Sequence, residues 1–373
     1  MMKREILFFT NLHPLPWQST RATYNREETR HLAEHANITL LIPVPWFTWI
    51  KEVLINGHRG EPNMCLFPFF YIPKVLSFLH PFFMLLSVAL SIKPLYLFFR
   101  AKNVIASWAY AEGVCAAVLK RIFRFKLIIE CLGSDVNVLI NKPIHKTQMR
   151  WAFGISDTVT TKSYALAKEV NKHAPLAKLE VVYNGVDFDT FSLRSIPLFR
   201  GHSLNLLFIG SIIPTKGVFE LVEGIAALKD KHSISLSIIG SGHSTALLRD
   251  KIMQLDMQAS ISLTGAVPHN ELPQHLQNVD ALLLPSYREG VPNVIMESLA
   301  TGTPVVATRV GGIPEVVSST LNGVFIEELS AEGVATAIDT LIKKDWQPAQ
   351  IRQSIQKYTW ENTALQLIDL LDK

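Results

Sequence analysis

The feature that most constrains the fold is a regular alternation of short apolar runs with segments of helical period. In the second half, the runs LNLLFIG, SISLSIIG and SISLTG have the length of a strand and end in Gly. The segment after the first run carries apolar residues at helical spacing on one face: Val218, Leu221, Val222, Ile225 and Ala226. Such alternation is typical of βα units around a parallel sheet, whose strands are buried on both faces. We therefore expect an α/β protein.

The same alternation of apolar runs and helical segments extends over the first half, which predicts two Rossmann-like domains. Strands are expected at residues 6–10, 38–42, 104–107, 126–130, 158–161 and 180–183. An Asn184-Gly185 turn and a polar stretch with Pro197 interrupt the rhythm, so we expect a hinge there. A chain of 373 residues is long enough for two domains. We place them at residues 1–190 and 200–345.

Composition excludes several other classes of protein. Hydrophobic residues make up 48% of the chain and charged residues 18%, which excludes a disordered protein. The three cysteines, Cys65, Cys115 and Cys131, lack the spacing of a zinc site or a disulfide framework. The N-terminal apolar run, residues 6–9, is too short for a secretory signal. A reducing, cytoplasmic environment is therefore expected.

One Phe-rich and Leu-rich stretch, residues 66–99, raises the question of a membrane span. His80, Lys93 and several prolines interrupt it, and its cleanest piece, residues 82–92, is shorter than the roughly 20 apolar residues that a span needs. We expect it not to cross a bilayer.

The net charge of +4 conceals an asymmetry. Residues 1–178 hold 22 Lys and Arg against 11 Asp and Glu, a net of +11, whereas residues 179–373 hold 14 against 21, a net of −7. Basic residues interleaved with the Phe-rich stretch suit contact with an anionic inner membrane surface or with a polyanionic acceptor. A solvated basic face without a partner is the alternative.

The most informative stretch is LLPSYREGVPNVIMESLATGTPVVATRVGGIPE, residues 283–315. A buried strand ends at Pro285, Pro292 opens a helix and Gly302 closes it. Open α/β sheets bind ligands where such strands end, and the free N–H groups of a helix start favour phosphate. Glu289 and Glu297 lie eight positions apart around this turn.

This stretch closely resembles the E-x7-E segment of retaining glycosyltransferases of family 4, which have the GT-B fold of two Rossmann-like domains facing across a cleft. The resemblance implies that Glu297 binds the ribose hydroxyls of a UDP- or GDP-linked sugar and that Glu289 binds the transferred sugar. It further implies that the backbone around Gly290, Val291 and Pro292 caps the phosphates. An ionised carboxylate accepts hydrogen bonds from vicinal hydroxyls, which agrees with these roles.

A second segment, GSIIPTKG at residues 210–217, resembles the phosphate-gripping segment of the same family. Gly210 and Lys216 match, and Lys216 would stabilise the departing diphosphate. Ser211 stands where the family has an arginine, so one expected cation is missing. Val267 occupies a position where the family contacts the base.

On the acceptor side, ECLGSDVN resembles the family's His-Gly-x-Asp segment. Asp135 matches, but Leu132 replaces the histidine, and Glu112 stands at an acidic position of an upstream segment. Helix capping and loop packing are equally open roles for both acids. By the same resemblance, a final helix at about 347–373 packs back on the first domain.

Two other motifs have simpler explanations. Gly240 and Gly242 form a lone Gly-x-Gly after the second strand of its domain, which is weak evidence for a dinucleotide. Asp187 and Asp189 form an Asp-x-Asp pair, interpreted as a turn of the hinge rather than a metal site.

The resemblance thus implies a metal-independent hexosyltransferase of cell-surface polysaccharide synthesis that needs no cofactor besides its nucleotide sugar. The acceptor would be a saccharide or a lipid-linked oligosaccharide, and no nucleic acid is expected as a partner. Two alternatives stay open. Ser211 and Leu132 would fit a non-catalytic relative that binds sugar nucleotides, and a dinucleotide-dependent oxidoreductase is disfavoured because no GxGxxG follows the first strand.

Overall fold

The computed structural model describes residues 3–19, 21–71, 76–175, 178–199 and 203–373. Its contacts divide the chain into two compact units: residues 1–184 with 360–373 form unit 1, and residues 185–359 form unit 2. The division falls before the predicted residue 190, because the segment after Gly185 is bonded to the rest of unit 2. The guanidinium of Arg352 donates to the carbonyls of Phe188 at 2.9 Å and Phe191 at 2.6 Å.

Unit 1 contains a parallel sheet of seven strands in the order β3-β2-β1-β4-β5-β6-β7. The strands are β1 (Arg4–Phe9), β2 (Ala36–Pro45), β3 (Met64–Phe69), β4 (Asn103–Ser107), β5 (Lys126–Cys131), β6 (Thr158–Thr161) and β7 (Leu179–Val181). Its helices before β7 are α1 (Thr23–His35), α2 (Trp46–Trp49), α3 (His80–Leu90), α4 (Ile92–Arg100), α5 (Ala111–Phe123), α6 (Pro143–Ile155) and α7 (Tyr164–His173).

The sheet of unit 1 separates two apolar cores, because alternate residues of each strand point to opposite faces. On one face, Phe9 and Phe67 pack with α3, α4 and α5. On the other face, Ile6 and Phe8 pack with α1 and the C-terminal helix. A sheet that is buried on both faces requires strands in which every residue is apolar, such as ILFF. The sheet was predicted from these apolar runs.

The predicted strands of unit 1 are all present, with ends shifted by a few residues, but β3 was not predicted. It lies at the start of the Phe-rich stretch, where apolar composition hid the strand. Pro68 within β3 is tolerated because β3 is an edge strand, whose outer side needs no N–H donor.

The rest of the Phe-rich stretch folds as α3 and α4, apart from residues 72–75, which lie outside the described residues. In the described part of the chain, no single helix has the length and apolarity needed to span a membrane. The segments Ser77–Leu90 and Ile92–Arg100 are long and apolar enough only when they are counted as one segment. The chain bends by 95° between them.

Unit 2 contains a parallel sheet of six strands in the order β10-β9-β8-β11-β12-β13. The strands are β8 (Ser203–Ile209), β9 (Ser233–Ile239), β10 (Ile261–Gly265), β11 (Ala281–Leu284), β12 (Val305–Thr308) and β13 (Gly323–Ile326). The helices are α8 (Val218–Ala227), α9 (Thr245–Gln254), α10 (Leu272–Gln277), α11 (Asn293–Ala300), α12 (Ile313–Val316), α13 (Ala331–Ile342) and α14 (Pro348–Ser354).

The predicted final helix of residues 347–373 is two helices that belong to different units. Helix α14 belongs to unit 2, and only α15 (Trp360–Asp372) packs on unit 1. The break occurs where Thr359 forms a bridge with Val186 and the carbonyl of Tyr358 accepts from the N–H of Val186 at 3.0 Å. An apolar stripe continues through both helices, so the sequence pattern did not reveal this interruption.

Candidate functional site

The predicted donor residues lie at the carboxyl edge of the unit 2 sheet, where the strand order reverses. Strand β8 pairs with β11 through Leu206 and Leu207, although β9 and β10 lie between them in the chain. The loops that follow β8 and β11 therefore start side by side. In open α/β sheets this is the position where ligands bind.

These two loops are bonded to each other at close range. The N–H of Tyr287 donates to the carbonyl of Thr215 at 2.9 Å. Gly217 has a φ of +66°, and a Cβ on it would lie 1.8 Å from the carbonyl oxygen of Pro285. A glycine is thus required after Lys216. The close approach to Pro285 therefore explains why Gly217 follows Lys216.

The approach brings Lys216 and Glu289 into direct contact. The Nζ of Lys216 lies 2.5 Å from Oε1 of Glu289, and the hydroxyl of Ser286 donates to the same oxygen at 2.7 Å. One quarter of the Lys216 side chain and one tenth of the Glu289 side chain are exposed. The predicted phosphate ligand and the predicted sugar ligand therefore share one location, and they form an ion pair there.

The backbone that carries Glu289 is held from the neighbouring strand as well. Thr308, at the end of β12, donates to the carbonyl of Ser286 at 2.5 Å. The N–H of Gly312 donates to the carbonyl of Gly290 at 2.8 Å, and a Cβ on Gly311 would lie 1.8 Å from the carbonyl oxygen of Glu289. The Val-Gly-Gly segment after β12 thus fixes the loop before α11.

Glu297 has a different partner, which sequence reasoning missed. It is the fifth residue of α11, one turn from the helix start, and its Oε1 lies 2.8 Å from Nε2 of His269. His269 begins the short turn after β10, two residues beyond the predicted base contact Val267. The ring of Phe191 packs edge-on against His269 at 5.5 Å. The two predicted carboxylates of the E-x7-E segment therefore have separate partners.

The remaining predicted donor residues lie along the same edge. Ser211 is exposed directly after β8, Val267 is half-buried after β10, and Val291 and Pro292 directly precede α11. The N–H of Gly210 donates to the carbonyl of Ile239 at 3.0 Å. The N–H of Gly240 donates to the carbonyl of Gly265 at 2.8 Å. Gly210 and Gly240 thus extend the backbone hydrogen bonds between neighbouring strands by one residue beyond β8 and β9.

The predicted acceptor residue Asp135 is a backbone clamp in this structure. Its buried carboxylate accepts from the N–H groups of Ala109 at 3.0 Å, Gly133 at 2.8 Å and Val136 at 3.0 Å, and from that of Leu132 at 3.2 Å. Burial raises its pKa, and these backbone bonds act in the opposite direction. Loop packing, one of the roles left open by the sequence, is the role that the geometry supports.

Glu112 is likewise fully buried, in the first turn of α5. Its Oε1 accepts from the N–H of Asn11 at 3.1 Å, while its Oε2 has no hydrogen-bond partner among the described residues. Burial raises the pKa of Glu112 to about 8. The expected contact of Glu112 with an acceptor is thus not supported by its position.

Unit 1 also contains a buried charge cluster that the sequence did not reveal. Lys162 follows β6 directly, and its Nζ lies 2.9 Å from both Glu28 of α1 and Glu130 of β5. All three side chains are buried. Burial raises the pKa of Glu28 to about 8, with a further contribution from Glu130. Burial alone would lower the pKa of Lys162, but the two carboxylates together raise it.

The Asp-x-Asp pair of the hinge forms a turn. The Oδ1 of Asp187 accepts from the N–H of Asp189 at 3.0 Å, and its Oδ2 accepts from the hydroxyl of Thr190 at 2.8 Å. No cluster of three or more His, Cys, Asp or Glu suited to a metal ion occurs within the described ranges. The hydrogen bonds of Asp187 thus place the pair in a turn.

This chain is similar in sequence to known glycosyltransferases. The family model of glycosyl transferases group 1 matches residues 190–359. An uncharacterised glycosyltransferase of Methanocaldococcus jannaschii is 27% identical over 57% of this chain and 59% of its own length. The putative teichuronic acid biosynthesis glycosyltransferase TuaC of Bacillus subtilis is 26% identical over 90% of this chain and 88% of its own.

The fold matches that of solved structures over the whole chain. Anabaena HepE in complex with UDP and glucose matches with a TM-score of 0.74 and 18% identity, covering 99% of each chain. Two parallel α/β units with the site at the switch point of the second define the GT-B class of fold. In sequence, the chain is similar to glycosyl transferases group 1 over residues 190–359, which lie within unit 2.

Proposed function

We propose that the protein transfers a hexose, with retention of configuration, from a UDP- or GDP-linked donor to a hydroxyl of a saccharide or lipid-linked oligosaccharide. The observation that carries the proposal is the contact of Lys216 with Glu289 at the switch point of unit 2. The teichuronic acid relative supports a place in cell-surface polysaccharide synthesis, and the UDP and glucose complex supports a nucleotide-sugar donor.

In this proposal the site residues divide the donor among them. Lys216 binds the diphosphate, and the start of α11 after Pro292 adds N–H donors with the positive end of the helix dipole. Glu289 binds hydroxyls of the transferred sugar. Glu297 binds the ribose hydroxyls, and His269 orients that carboxylate through the 2.8 Å contact.

The proposed transfer balances without any further reactant. The bond between the anomeric carbon and the phosphate oxygen breaks, and a bond from the acceptor oxygen forms on the same face of the sugar. The acceptor proton passes to the departing phosphate. Lys216 stabilises the negative charge that develops on that phosphate, which is the charge that a preorganised cation stabilises most effectively. We propose that no metal ion is needed for this role.

Neither buried acid of unit 1 has a direct part in this scheme. Asp135 is bound by backbone N–H groups and Glu112 is fully buried, so we assign both to the support of unit 1. The acceptor hydroxyl therefore remains without a named protein base, which agrees with proton transfer to the leaving phosphate.

The donor is identified by measuring the melting temperature with a panel of UDP- and GDP-linked sugars, because a ligand that binds only the folded protein raises it. The sugar that gives the largest shift is then tested for transfer. Glu289→Gln should abolish transfer, whereas Glu332→Gln, an exposed carboxylate of α13 in the same unit, should not. Transfer by Glu289→Gln at the rate of the unmodified protein would refute the assignment.

The two alternatives give different results in the same experiments. A non-catalytic relative, as Ser211 and Leu132 would allow, would bind a donor from the panel but transfer and hydrolyse none. An oxidoreductase would bind NAD(P)H, which a fluorescence titration detects. Binding of NAD(P)H without any response to the sugar nucleotides would replace the proposal.

A further inference from the structure

Unit 1 carries an apolar surface on the outer sides of α3 and α4. Exposed apolar residues of α3 recur every four positions, and those of α4 recur at spacings of four and three, so each set shares one side of its helix. Phe99 of α4 packs edge-on against Phe123 at 6.0 Å. The exposed residue Ile122, which precedes Phe123, therefore lies near α4. We call this surface the α3–α4 face; it consists of Phe82, Leu86, Leu90, Ile92, Tyr96, Phe99 and Ile122.

The α3–α4 face is not needed for the core of unit 1. The inner sides of the same helices already supply that core through Met84, Val88 and Phe98, which are fully buried. By contrast, Ile92 is 88% exposed and Leu90 is 67% exposed. A surface helix of a globular protein normally turns charged residues outward, yet α3 contains no Asp, Glu, Lys or Arg. These large apolar side chains therefore require another explanation.

The charges around the face are of one sign. The sequence has no Asp or Glu between Glu61 and Glu112, and the next acid after Glu112 is the buried Glu130. The exposed basic residues beside the face are Lys93, Arg100, Lys102, Arg121 and Arg124. None of the five forms an ion pair with a residue in the described part of the chain. Exposed basic residues without an acidic partner among the described residues therefore lie within or close in sequence to the helices that form the face.

We infer that the α3–α4 face docks on the surface of an anionic lipid bilayer. Apolar side chains supply affinity by entering the boundary between head groups and acyl chains, and Lys and Arg supply attraction to anionic lipids. The two helices meet at 95°, and two axes that meet define one plane, so both can lie along a flat interface. Residues 185–359, which form unit 2, hold 13 Lys and Arg against 17 Asp and Glu, a net of −4, so unit 2 as a whole is not attracted to an anionic surface.

This inference names a partner for unit 1 and does not depend on the proposed sugar transfer. If transfer fails and docking holds, the protein is a peripheral membrane protein with another activity at unit 2. If docking fails and transfer holds, the acceptor reaches the enzyme from solution.

The test measures sedimentation of the full chain with vesicles of phosphatidylcholine alone or mixed equally with phosphatidylglycerol. We expect binding to the mixed vesicles that weakens as salt is raised, because the attraction is screened. Lys93→Glu with Arg100→Glu should weaken it at least tenfold, since each basic residue near an anionic surface contributes about fivefold. Equal binding to both vesicles at all salt concentrations would overturn the inference.

A second pair of variants tests the apolar contribution. Ile92→Ser with Phe99→Ser should also weaken binding to the mixed vesicles, while Leu247→Ser with Met253→Ser, an exposed apolar pair on α9 of unit 2, should leave it unchanged. All four positions are exposed, so thermal melting should report folded protein in each case. Identical binding by the two pairs of variants would overturn the inference.

Direct contact can be observed with a fluorescent label, because Cys65, Cys115 and Cys131 are buried. An environment-sensitive dye on Ile92→Cys should shift to shorter wavelength with the mixed vesicles, and the same dye on Leu247→Cys should not. Two results would exclude surface docking: self-association through the face without vesicle binding, which ultracentrifugation detects, and resistance of the bound protein to alkaline carbonate, which indicates a span.

Discussion

Replacing Lys216 by Met separates the stability of unit 2 from its proposed chemistry. Methionine keeps most of the apolar stem and removes the ammonium that contacts Glu289 at 2.5 Å. A hydrogen bond to a charged group contributes about 1.5–3 kcal/mol. Lys216 is one quarter exposed and Ser286 remains bonded to Glu289, so this value must be reduced for solvent screening. We expect a loss of about 1 kcal/mol of unfolding free energy, or a shift in melting temperature of about 2–4 °C.

The effect on turnover should be much larger. Removing one preorganised donor to a developing negative charge typically lowers kcat about 10²–10³-fold. The assay compares initial rates at saturating donor with the melting temperature of the same preparation. Lys231→Met is the matched control, because Lys231 forms an ion pair with Asp339, also at 2.5 Å, and lies just before β9, at the opposite end of the strands from the site. Its melting temperature should fall by less than that of Lys216→Met, because the Lys231 side chain is more exposed to solvent, and its turnover should be unchanged.

Two results would refute this reasoning. If Lys216→Met and Lys231→Met had the same turnover, Lys216 would be a structural residue of the loop. If Lys216→Met unfolded unit 2, the expected loss of only about 1 kcal/mol of unfolding free energy would be wrong. In that case, the binding of UDP and GDP to the folded fraction would have to be compared instead.

Three further outcomes are expected. In a urea titration, Gly217→Ala should lower the unfolding free energy by about 2 kcal/mol or more, because the added Cβ would clash with the carbonyl of Pro285. Gly265→Ala should lower it by about 1 kcal/mol, because Gly265 also has a positive φ but its Cβ position is open. The pKa of Glu112 is raised to about 8 in the folded state. Above about pH 4.5 the unfolded state loses the proton of this carboxyl, whereas the folded state keeps it. The unfolding free energy therefore falls as the pH rises to about 8. Glu112→Gln should remove up to a few kcal/mol of that fall between pH 5 and 8, and an unchanged pH profile would contradict the shift. His269→Ala should weaken nucleotide binding about 5–30-fold in calorimetry, because Glu297 loses the partner that orients it; unchanged affinity would remove Glu297 from the ribose site.

The parts of the fold that the sequence predicted are those in which one chain segment carries its own signal. Buried parallel strands appear as apolar runs, and the start of α11 appears as Pro292 followed by a helical pattern that ends at Gly302. Lys216 and Glu289 were found because each stands in a segment with a recognisable pattern. Their contact required only that the two strands before them be neighbours, which the doubly wound order of the sheet provides.

The features that were missed depend on contacts between distant segments. Glu297 meets His269 because α11 lies beside the turn after β10, and no local pattern marks a histidine for that role. Lys162 resembles a surface lysine until the sheet places Glu28 and Glu130 around it. Asp135 matched a family position, yet its carboxylate is bound by N–H groups of its own and a neighbouring loop.

The passage of the chain back into unit 1 has a consequence for the order in which the protein is completed on the ribosome. Unit 2 is continuous from Gly185 to Thr359, so all of it has been synthesised while unit 1 still lacks α15. Ala364, Leu367 and Leu371 of that helix cover the core beside α1, and until they emerge this apolar surface stays in contact with water. The segment translated first is therefore the one that completes its core last.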